Sequence, residues 1–344
     1  MPGRTNKQWR LASYPEGMPK ETNWALGEGT IPEPRQNELL ARAIYLDVAP
    51  YMRGRVSPQK NYAAGVKPGE VMLGGGIGEV VQSNVKDFKP GDLIVTDFSF
   101  GWQEYAALNG SEVRRIEADL APLPYWLDAL GLNGMTAYFA LIEAGRIKPG
   151  DTVVISAAAG SVGQIAGQIA KLSGCRAIGI TSSPEKIAWC KELGYDDAIN
   201  YRAESDLSAA VARACPNGVD VFIDNTAGVI HESVMQNLAA HARIVLVGSI
   251  SLAGKFGQPD VGPRFHRQTL IARATIQGFL VSDYQQQQPE ARRRIASWFK
   301  AGLLKSKFDI AHGIEATPQA FLRLLTSQNL GKQLVQVADQ PRLA

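Results

Sequence analysis

The chain has 344 residues, 45% of them hydrophobic, and its formal net charge at pH 7 is +3. That length is sufficient for two domains with separate cores, and so small a charge argues against nucleic acid or an anionic membrane as the partner. The sequence has no uninterrupted apolar run of about 18 residues, no hydrophobic signal core at its N-terminus and only three scattered cysteines, so we expect a soluble, cytoplasmic protein with reduced thiols.

The region before residue 152 is rich in turns and short candidate strands. Lysine, proline, glycine and an acidic residue follow one another at 67–70, 89–92 and 148–151. Pro-Gly pairs are strong turn signals, and a candidate strand at 92–95 lies directly beside one of them. This pattern of frequent turns and short strands predicts a barrel-like β domain in which the turns share the same local chemistry.

A candidate cofactor-binding segment begins with the β-branched run 153–155, which is typical of a strand buried in a parallel sheet. The dinucleotide fingerprint G-x-G-x-x-G then falls on Ala158, Gly160 and Gly163, with alanine in place of the first glycine. Apolar residues recur at helical spacing after this turn. We therefore predict a helix whose N-terminal amides point at a pyrophosphate.

Two other interpretations of this segment compete with cofactor binding. Residues 152–170 are apolar enough to suggest a membrane span, but Gln164 and Gln168 interrupt them and the helix is too short. Gly163 and Gly167 also form a GxxxG pair, which usually marks close helix packing. The segment alone does not decide between these readings, and the elements after it favour the dinucleotide.

Strands and helices alternate after the segment. Gly174 is suited to end the first helix, whereas Ser183 as N-cap and Pro184 at the first helical position begin the next one. Together with the run at 153–155, the candidate strands make six, which predicts a doubly wound parallel sheet. The later five are residues 176–181, 197–201, 219–224, 243–248 and 275–281.

The choice between NADH and NADPH depends on the tip of the second strand. An acidic residue about 20 positions after the glycines would bind the ribose 2′-hydroxyl of NADH. Residues 181–183 are Thr-Ser-Ser, without an acid, and Lys186 lies one helical turn beyond. This pattern favours NADPH, whose 2′-phosphate the lysine can pair with. The alternative is that Lys186 is an ordinary solvated helix lysine.

Close spacings of metal ligands do not occur in the sequence. There is no CxxC pair, and Met235 stands where a second histidine would complete the H-E-x-x-H motif begun by His231 and Glu232. We therefore expect no structural or catalytic zinc.

The C-terminal part of the chain has the pattern of two helices and a strand. Residues 290–304 and 318–326 predict the helices, and 333–337 predict a strand that returns to the first domain. The predicted domains are accordingly 1–129 together with 303–344, and 130–302.

The chain resembles the zinc-free medium-chain dehydrogenases/reductases along nearly its whole length. More narrowly, it is similar to the NADPH-dependent double-bond reductases, the group of prostaglandin, alkenal and curcumin reductases. The resemblance implies a Rossmann sheet and a GroES-like β domain. It is carried by DVAPYMRGR at 47–55, GGGIGEVVQS at 74–83, LGLNGMTAYFAL at 130–141, AAAGSVGQIAGQIAK at 157–171, AINY at 198–201 and NLGK at 329–332.

The resemblance also implies how the cofactor is held. The glycine turn would hold the pyrophosphate, Lys186 and Tyr201 the 2′-phosphate, and Asn329 of the tail would flank the nicotinamide, so that the cofactor would lie between the domains. The complete implied set is Gly160, Ser161, Val162, Gly163, Lys186, Tyr201, Asn225, Val247, Gly248, Ser249, Ile250, Ser251, Phe279, Leu280, Val281 and Asn329.

The implied chemistry is hydride transfer from NADPH to the β-carbon of an α,β-unsaturated ketone or aldehyde. The protein must orient the acceptor and stabilise negative charge on its carbonyl oxygen, which a hydroxyl donor can do without metal. Related reductases commonly carry a loop tyrosine after the fifth strand, and this chain has Ala253 there. We expect Tyr51 or Tyr62 to contact the carbonyl instead, with Tyr284 as a third candidate. Each of them could equally be a packing aromatic.

Two other functions remain open at this stage. A zinc-free NADPH quinone oxidoreductase would use the same cofactor fold, and the missing loop tyrosine leaves open an NADPH-binding sensor or structural protein with little turnover. The resemblance further implies a homodimer, because edge strands of the nucleotide sheet often pair in this superfamily.

Overall fold

A computed structural model describes residues 5–59, 61–62, 64–117 and 119–341. The chain divides into two compact units. The first runs up to Leu127, takes up Ala253–Gly257 and ends with the C-terminal part from Phe308; the second contains Asp128–Leu252 and Gln258–Lys307.

The first unit is built on a seven-stranded sheet in the order β14-β15-β3-β4-β5-β7, with β6 pairing with β3, and on a separate β1-β2 pair. Apart from the parallel pair β14-β15, the strands run antiparallel. The strands are β1 Thr5–Leu11, β2 Trp24–Thr30, β3 Glu38–Asp47, β4 Gly76–Ser83, β5 Leu93–Thr96, β6 Tyr105–Asn109, β7 Arg114–Arg115, β14 Phe308–His312 and β15 Lys332–Gln336. The helices are α1 Met52–Arg55 and α9 Thr317–Leu325, with short 3₁₀ turns at Glu21–Asn23, Gly110–Glu112, Leu123–Leu127 and Ile314–Ala316.

The C-terminal tail completes this first unit. β15 pairs antiparallel with β3, and Phe321 of α9 packs edge-on against Trp24 and Trp102 with ring centroids 5.8 Å apart in both cases. Trp102 is fully buried. The predicted tail strand is therefore a structural member of the first unit's sheet, and Trp102 belongs to the core of that unit.

The second unit is a six-stranded parallel sheet in the order β10-β9-β8-β11-β12-β13. Its strands are β8 Thr152–Ser156, β9 Arg176–Thr181, β10 Asp197–Asn200, β11 Val219–Asp224, β12 Leu238–Leu246 and β13 Thr275–Gly278. Its helices are α2 Leu132–Phe139, α3 Ser161–Leu172, α4 Pro184–Glu192, α5 Leu207–Ala214, α6 Gly228–Val234, α7 His266–Ala272 and α8 Gln288–Lys300, with a π-helical turn at Ala140–Ala144 and a 3₁₀ turn at Val281–Tyr284. A further 3₁₀ segment, Ile250–Lys255, carries the chain from this unit to the first.

This arrangement confirms the predicted fold class, because the strand order reverses between β8 and β11 as it does in doubly wound sheets. The core on one face is apolar and includes Val154, Ile178, Phe222 and Ile244, all buried. The strands consist of continuous apolar runs rich in β-branched residues because helices cover both faces of a parallel sheet.

Several predicted bounds were wrong at strand and helix ends. β12 begins at Leu238, five residues before the predicted 243, and β13 ends at Gly278 because the chain turns into a 3₁₀ segment at Val281. α8 ends at Lys300 and not at 304, since Gly302 adopts a φ of 70° that a continuing helix does not allow.

The three Lys-Pro-Gly-acid sequences fold into the same turn. Gly69, Gly91 and Gly150 have φ of 91°, 89° and 90°, a conformation that glycine adopts without strain. In each turn the acidic side chain accepts a hydrogen bond from the lysine N–H three residues earlier, at 2.9, 2.8 and 3.1 Å. Shared turn chemistry, as predicted, and not a longer repeat explains the recurrence.

Within the part of the chain that the structure describes, none of the helices has the length and apolarity needed to span a membrane.

Candidate active site

The turn between β8 and α3 forms a cradle for an anion. Gly160 is the N-cap of α3 with extended backbone (φ −85°, ψ 179°), and among the described residues no side chain caps the helix. The first amides of a helix have no intrahelical acceptor, and the helix dipole favours negative charge there. The N–H groups from Ser161 onward are therefore suited to a pyrophosphate, and the missing side-chain cap leaves room for it.

Close packing explains the glycines of this turn. A Cβ at Gly163 would lie 2.4 Å from the backbone oxygen of Ala157, and one at Gly167 would lie 2.1 Å from the Tyr195 ring. The Tyr195 hydroxyl donates a hydrogen bond of 2.7 Å to the carbonyl of Gly163. The GxxxG pair thus marks close packing of α3 and at the same time belongs to the cradle, so the two interpretations are compatible.

Ala158, which replaces the first glycine of the fingerprint, is accommodated by the neighbouring strand. Gly179 of β9 faces it, and a Cβ at Gly179 would lie 2.8 Å from the Cβ of Ala158. The methyl group therefore fills space that a side chain on β9 would otherwise occupy. The departure from the fingerprint leaves the backbone of the turn intact.

The tip of β9 carries hydroxyl groups and cations without an acid. Thr181 and Ser182 are buried, Ser183 caps α4 by accepting from the Lys186 N–H at 3.3 Å, and Lys186 is itself 9% exposed. Tyr201 follows β10 and donates its N–H to the Thr181 carbonyl at 3.0 Å, which brings it to the same tip. This neighbourhood suits a 2′-phosphate.

Arg202 is a residue at this tip that the sequence analysis missed. Its guanidinium carbon lies 5.7 Å from the centroid of the Tyr201 ring, and the residue is exposed. The position of an arginine directly after the predicted tyrosine could have indicated a second phosphate-binding residue, since arginine binds phosphate with paired N–H groups.

A buried carboxylate organises the loop after β11. Asp224 is 0% exposed, and its Oδ1 accepts hydrogen bonds from the Ser156 hydroxyl at 3.1 Å and the N–H groups of Thr226 and Ala227 at 2.9 Å each. Asn225 in turn donates its side-chain amide to the Ser156 carbonyl at 2.8 Å. The loop that bears the predicted cofactor asparagine is therefore fixed at the point where the strand order reverses.

The remaining cofactor candidates of the second unit follow β12 and β13. Val247, Gly248, Ser249 and Ile250 continue from β12, and the Ser251 hydroxyl donates to the Thr226 carbonyl at 2.6 Å, which joins this loop to the one after β11. These loops lie at the carboxyl ends of parallel strands, the usual ligand-binding edge.

The segment after β13 is held in an aromatic stack. Phe279 lies 5.6 Å and Phe139 4.9 Å from the Tyr284 ring, with interplanar angles of 21° and 10°. Leu280 and Val281 are exposed and half-exposed, respectively. Tyr284 therefore packs as an aromatic side chain within the second unit, which favours the structural interpretation of this tyrosine over the catalytic one.

Tyr51 and Tyr62 lie in the first unit. Tyr51 is the N-cap of α1 and half-buried, and its hydroxyl donates to the Asp97 carbonyl at 3.2 Å. Burial, followed by the charge of Asp47, raises the pKa of Tyr51 well above its usual value, so the phenol stays protonated and can act as a donor. Tyr62 is 66% exposed and is available to a ligand.

Asn329 is buried in the tail of the first unit. Its side-chain amide donates to the Gly331 carbonyl at 2.9 Å. The next lysine, Lys332, is 2% exposed and pairs with Asp47 at the end of β3. This ion pair joins the segment that bears Asn329 to the strand that leads to Tyr51.

Comparisons with known proteins agree with this architecture. The model described as the N-terminal domain of oxidoreductase matches residues 7–116, and the model described as zinc-binding dehydrogenase matches residues 161–297. NADPH-dependent curcumin reductase of Escherichia coli (strain K12) is 36% identical over 97% of this chain and 97% of its own. The 2-alkenal reductase (NADP(+)-dependent) of Nicotiana tabacum is also 36% identical, over 98% of each chain. The chain belongs to the medium-chain dehydrogenase/reductase family.

A solved relative extends this assignment to the structure. CurA from Vibrio vulnificus, in complex with NADPH, is 38% identical to this family member over 97% of the present chain and 100% of its own, with a TM-score of 0.90. The resemblance to the double-bond reductases is therefore confirmed over nearly the whole length and in three dimensions.

The loop position at which related reductases commonly carry tyrosine has a different role in this family member. Ala253 is buried in the first unit, and its carbonyl accepts a hydrogen bond of 2.9 Å from the Arg53 guanidinium. Arg53 also donates to the Gly17 carbonyl at 2.9 Å and lies over the Phe256 ring. The 253–257 segment is thus fixed by its backbone and by an arginine.

Histidine and cysteine form no metal cluster among the described residues of this reductase. His231, which begins the incomplete zinc motif, places Nδ1 2.8 Å from the Asp224 carboxylate. Cys175, Cys190 and Cys215 are buried free thiols, and burial raises their pKa values to about 11, 12 and 11. All three stay protonated at neutral pH and have little nucleophilic character.

Proposed function

We propose that this protein is an NADPH-dependent enone and alkenal double-bond reductase. The observation that carries the proposal is the combination of an uncapped α3 N-terminus with an acid-free β9 tip bearing Lys186 and Tyr201. The named activities of the curcumin and alkenal reductases, which match along nearly the whole chain, supply the acceptor class.

The residues present fit NADPH. Among the described residues no side chain caps the cradle at Gly160, and a Cβ at Gly163 would meet backbone atoms at under 3 Å, so Gly163 cannot be replaced without a shift of the turn. Amides from Ser161 onward would hold the pyrophosphate, and Lys186 with Tyr201 would hold the 2′-phosphate. When bound, the cofactor supplies the hydride. We assign cofactor binding to the predicted domain 130–302 and acceptor binding to 1–129 with 303–344.

The protein's own residues would perform the rest of the reaction. Hydride arrives at the β-carbon, the double-bond electrons move towards the carbonyl oxygen, and one proton from solvent or a side chain is added at the α-carbon. A protonated Tyr51 or Tyr62 would donate a hydrogen bond to that oxygen as its charge grows. To do so, the Tyr51 hydroxyl would have to give up its hydrogen bond to the Asp97 carbonyl and donate to the acceptor's carbonyl oxygen instead.

The test is oxidation of NADPH and, separately, NADH with a panel of enones, 2-alkenals and quinones, with the products identified by mass. Saturated ketones or aldehydes formed with NADPH in preference to NADH are expected. Quinol as the sole product would favour the quinone oxidoreductase instead, and tight NADPH binding without oxidation would favour a sensor. Metal analysis of the same active preparation tests the expected independence of zinc.

We further infer a cytoplasmic homodimer. Buried free thiols without disulfides among the described cysteines support a reducing compartment. The edge strand β13 is exposed along its whole length and follows α7, whose Leu270 and Ile271 are also exposed, which supports pairing with a second copy. Cell fractionation and the mass of the protein in solution test these two inferences.

A further inference from the structure

The helix α1 contains two buried arginines whose surroundings differ. Arg53 and Arg55 are each 4% exposed. Arg53 donates to two backbone carbonyls, those of Ala253 and Gly17, both at 2.9 Å. Arg55 donates through one terminal nitrogen to the Ala64 carbonyl at 3.1 Å, and its buried Nε has no acceptor among the described residues. Among the described residues, the Nε of Arg53 thus has an acceptor and the Nε of Arg55 has none.

The charge of Arg55 is also uncompensated in the described part of the chain. Two carboxylates of the same unit are engaged elsewhere: the half-buried Asp97 accepts two hydrogen bonds from Arg114, at 2.6 and 3.1 Å, and the buried Asp47 pairs with Lys332. Arginine is rarely fully buried without a partner, because an unpaired charge loses its hydration. An anion that binds to Arg55 would pair with this charge and offset its lost hydration.

Aromatic rings surround the guanidinium and extend to the surface. Its carbon lies 5.3 Å from the Tyr51 ring centroid and 5.7 Å from that of Phe98. Phe98 is 43% exposed and Tyr62 is 66% exposed. The neighbouring backbone is fixed, since Val66 donates its N–H to the Arg55 carbonyl at 2.8 Å. Exposed rings beside a buried cation suit a ligand with an apolar body and an anionic end.

We propose that Arg55 binds a carboxylate carried by the acceptor, so that the preferred substrates of this reductase are enones that bear an acid group. The planar guanidinium offers paired N–H donors that match a carboxylate, which lysine cannot do. The proposal rests on the proposed function and specifies its substrate class.

The test compares two acceptors measured with NADPH: an enone that carries a carboxylate at the end of a saturated chain, outside the conjugated system, and the methyl ester of the same compound. Wild type is expected to favour the acid in kcat/KM by about 10-fold to 100-fold, the range that a charge-assisted pair supports. Arg55→Met should remove this preference mainly through KM for the acid, while the ester rate stays within a few fold. Arg55→Lys should keep part of the preference, because lysine keeps the positive charge but lacks the paired N–H donors of the guanidinium.

Arg53→Met is the matched control, since Arg53 lies in the same helix, is equally buried and has its carbonyl partners within the protein. It should lower thermal stability and leave the ratio of acid to ester unchanged. Competitive inhibition by the corresponding saturated keto acid and its methyl ester gives a binding readout that does not depend on turnover. The acid should inhibit wild type more strongly than the ester, and Arg55→Lys should reduce this advantage without abolishing it, which tests the inference even if Arg55→Met fails to fold.

Equal kcat/KM for acid and ester in wild type would overturn the inference, as would an Arg55→Met variant that loses activity equally on both. Reduction of neutral enones under the same conditions would leave the proposed function standing. Failure of every acceptor, acidic or neutral, would instead remove the proposed function together with this inference.

Discussion

Single residues of the cofactor cradle show how a departure from a motif can be tolerated. Ala158 occupies a position where the fingerprint has glycine, and Gly179 on the next strand provides the space for its methyl group. The two residues are 21 positions apart in the sequence (179 − 158). The motif alone did not indicate this compensation, because it depends on which strand lies beside β8.

At the β9 tip, Lys186→Ala is expected to raise KM for NADPH by about 10-fold to 100-fold, since a charge-assisted contact to the 2′-phosphate would be lost. KM for NADH should stay within about twofold. Steady-state kinetics with both cofactors measure the effect. The exposed Lys191 on the same helix offers the control Lys191→Ala, which should change neither value. Equal losses with NADPH and NADH would mean that Lys186 supports the helix and does not select the cofactor.

Tyr51 and Tyr62, the candidate hydrogen-bond donors to the acceptor's carbonyl group, give a second prediction at the residue scale. Tyr51→Phe or Tyr62→Phe should lower kcat by about 10-fold or more by removing a hydroxyl from the developing oxyanion. NADPH binding, followed by fluorescence titration, should be unaffected because both residues lie in the first unit and not at the cradle. Tyr284→Phe is the comparison, since the stacked ring of Tyr284 is expected to tolerate loss of its hydroxyl. Full turnover in both of the first two variants would exclude either tyrosine as the donor.

Among the elements, α3 does more than bind the cofactor. Gln164 is 0% exposed, and its Oε1 accepts from the Trp189 indole at 3.2 Å and the Lys307 N–H at 3.0 Å, while its Nε2 donates to the Asp128 carboxylate at 3.0 Å. The Gln168 side chain likewise forms two hydrogen bonds with the backbone of Lys305: its Nε2 donates to the carbonyl and its Oε1 accepts from the N–H. The glutamines that interrupt the apolar run of this helix therefore anchor residues 305–307 just before the chain enters β14.

Gln164→Leu should lower the free energy of unfolding by about 3 kcal/mol, because it leaves an indole N–H and a backbone N–H without acceptors inside the protein. Urea denaturation monitored by tryptophan fluorescence measures the change. Gln286→Leu is the surface control, since Gln286 is exposed, and it should shift stability by less than about 0.5 kcal/mol. Indistinguishable midpoints for the two variants would show that the buried amide is dispensable.

At the scale of the whole molecule, the β13 edge of the parallel sheet is an exposed apolar surface of the second unit. All four residues of β13 are exposed, and Leu270 and Ile276 retain 76% and 44% of their surface. An unpaired strand edge with apolar neighbours is a template for another strand.

The double variant Leu270→Glu, Ile276→Glu is expected to be monomeric, because four buried carboxylates in a two-fold interface could not be paired. Light scattering after size-exclusion chromatography should give twice the chain mass of 37.2 kDa for wild type and a single chain mass for the variant. Val229→Glu, on the exposed surface of α6, is the matched control and should remain dimeric. A monomeric wild type would contradict the inferred homodimer at once.

The sequence by itself determined the order and type of most elements and the fold class. Strand bounds at 176–181 and 219–224 were predicted to the residue, because β-branched runs, caps and Pro-Gly turns depend on neighbours along the chain. The element ends at β12, β13 and α8 were wrong, since those ends depend on pairing and on a glycine φ.

Only the tertiary structure decided how the candidate site is organised. The contact of Ser156 with Asp224 joins residues 68 positions apart, and the lack of an acceptor for the Arg55 Nε among the described residues is recognisable only once burial and the partners of Asp47 and Asp97 are known. Burial and pairing are properties of distant segments brought together by the sheet, so no local pattern specifies them. The cofactor class could be inferred from the chain because its determinants lie in short motifs that follow β8, β9 and β10, whereas the acceptor contacts form no local motif.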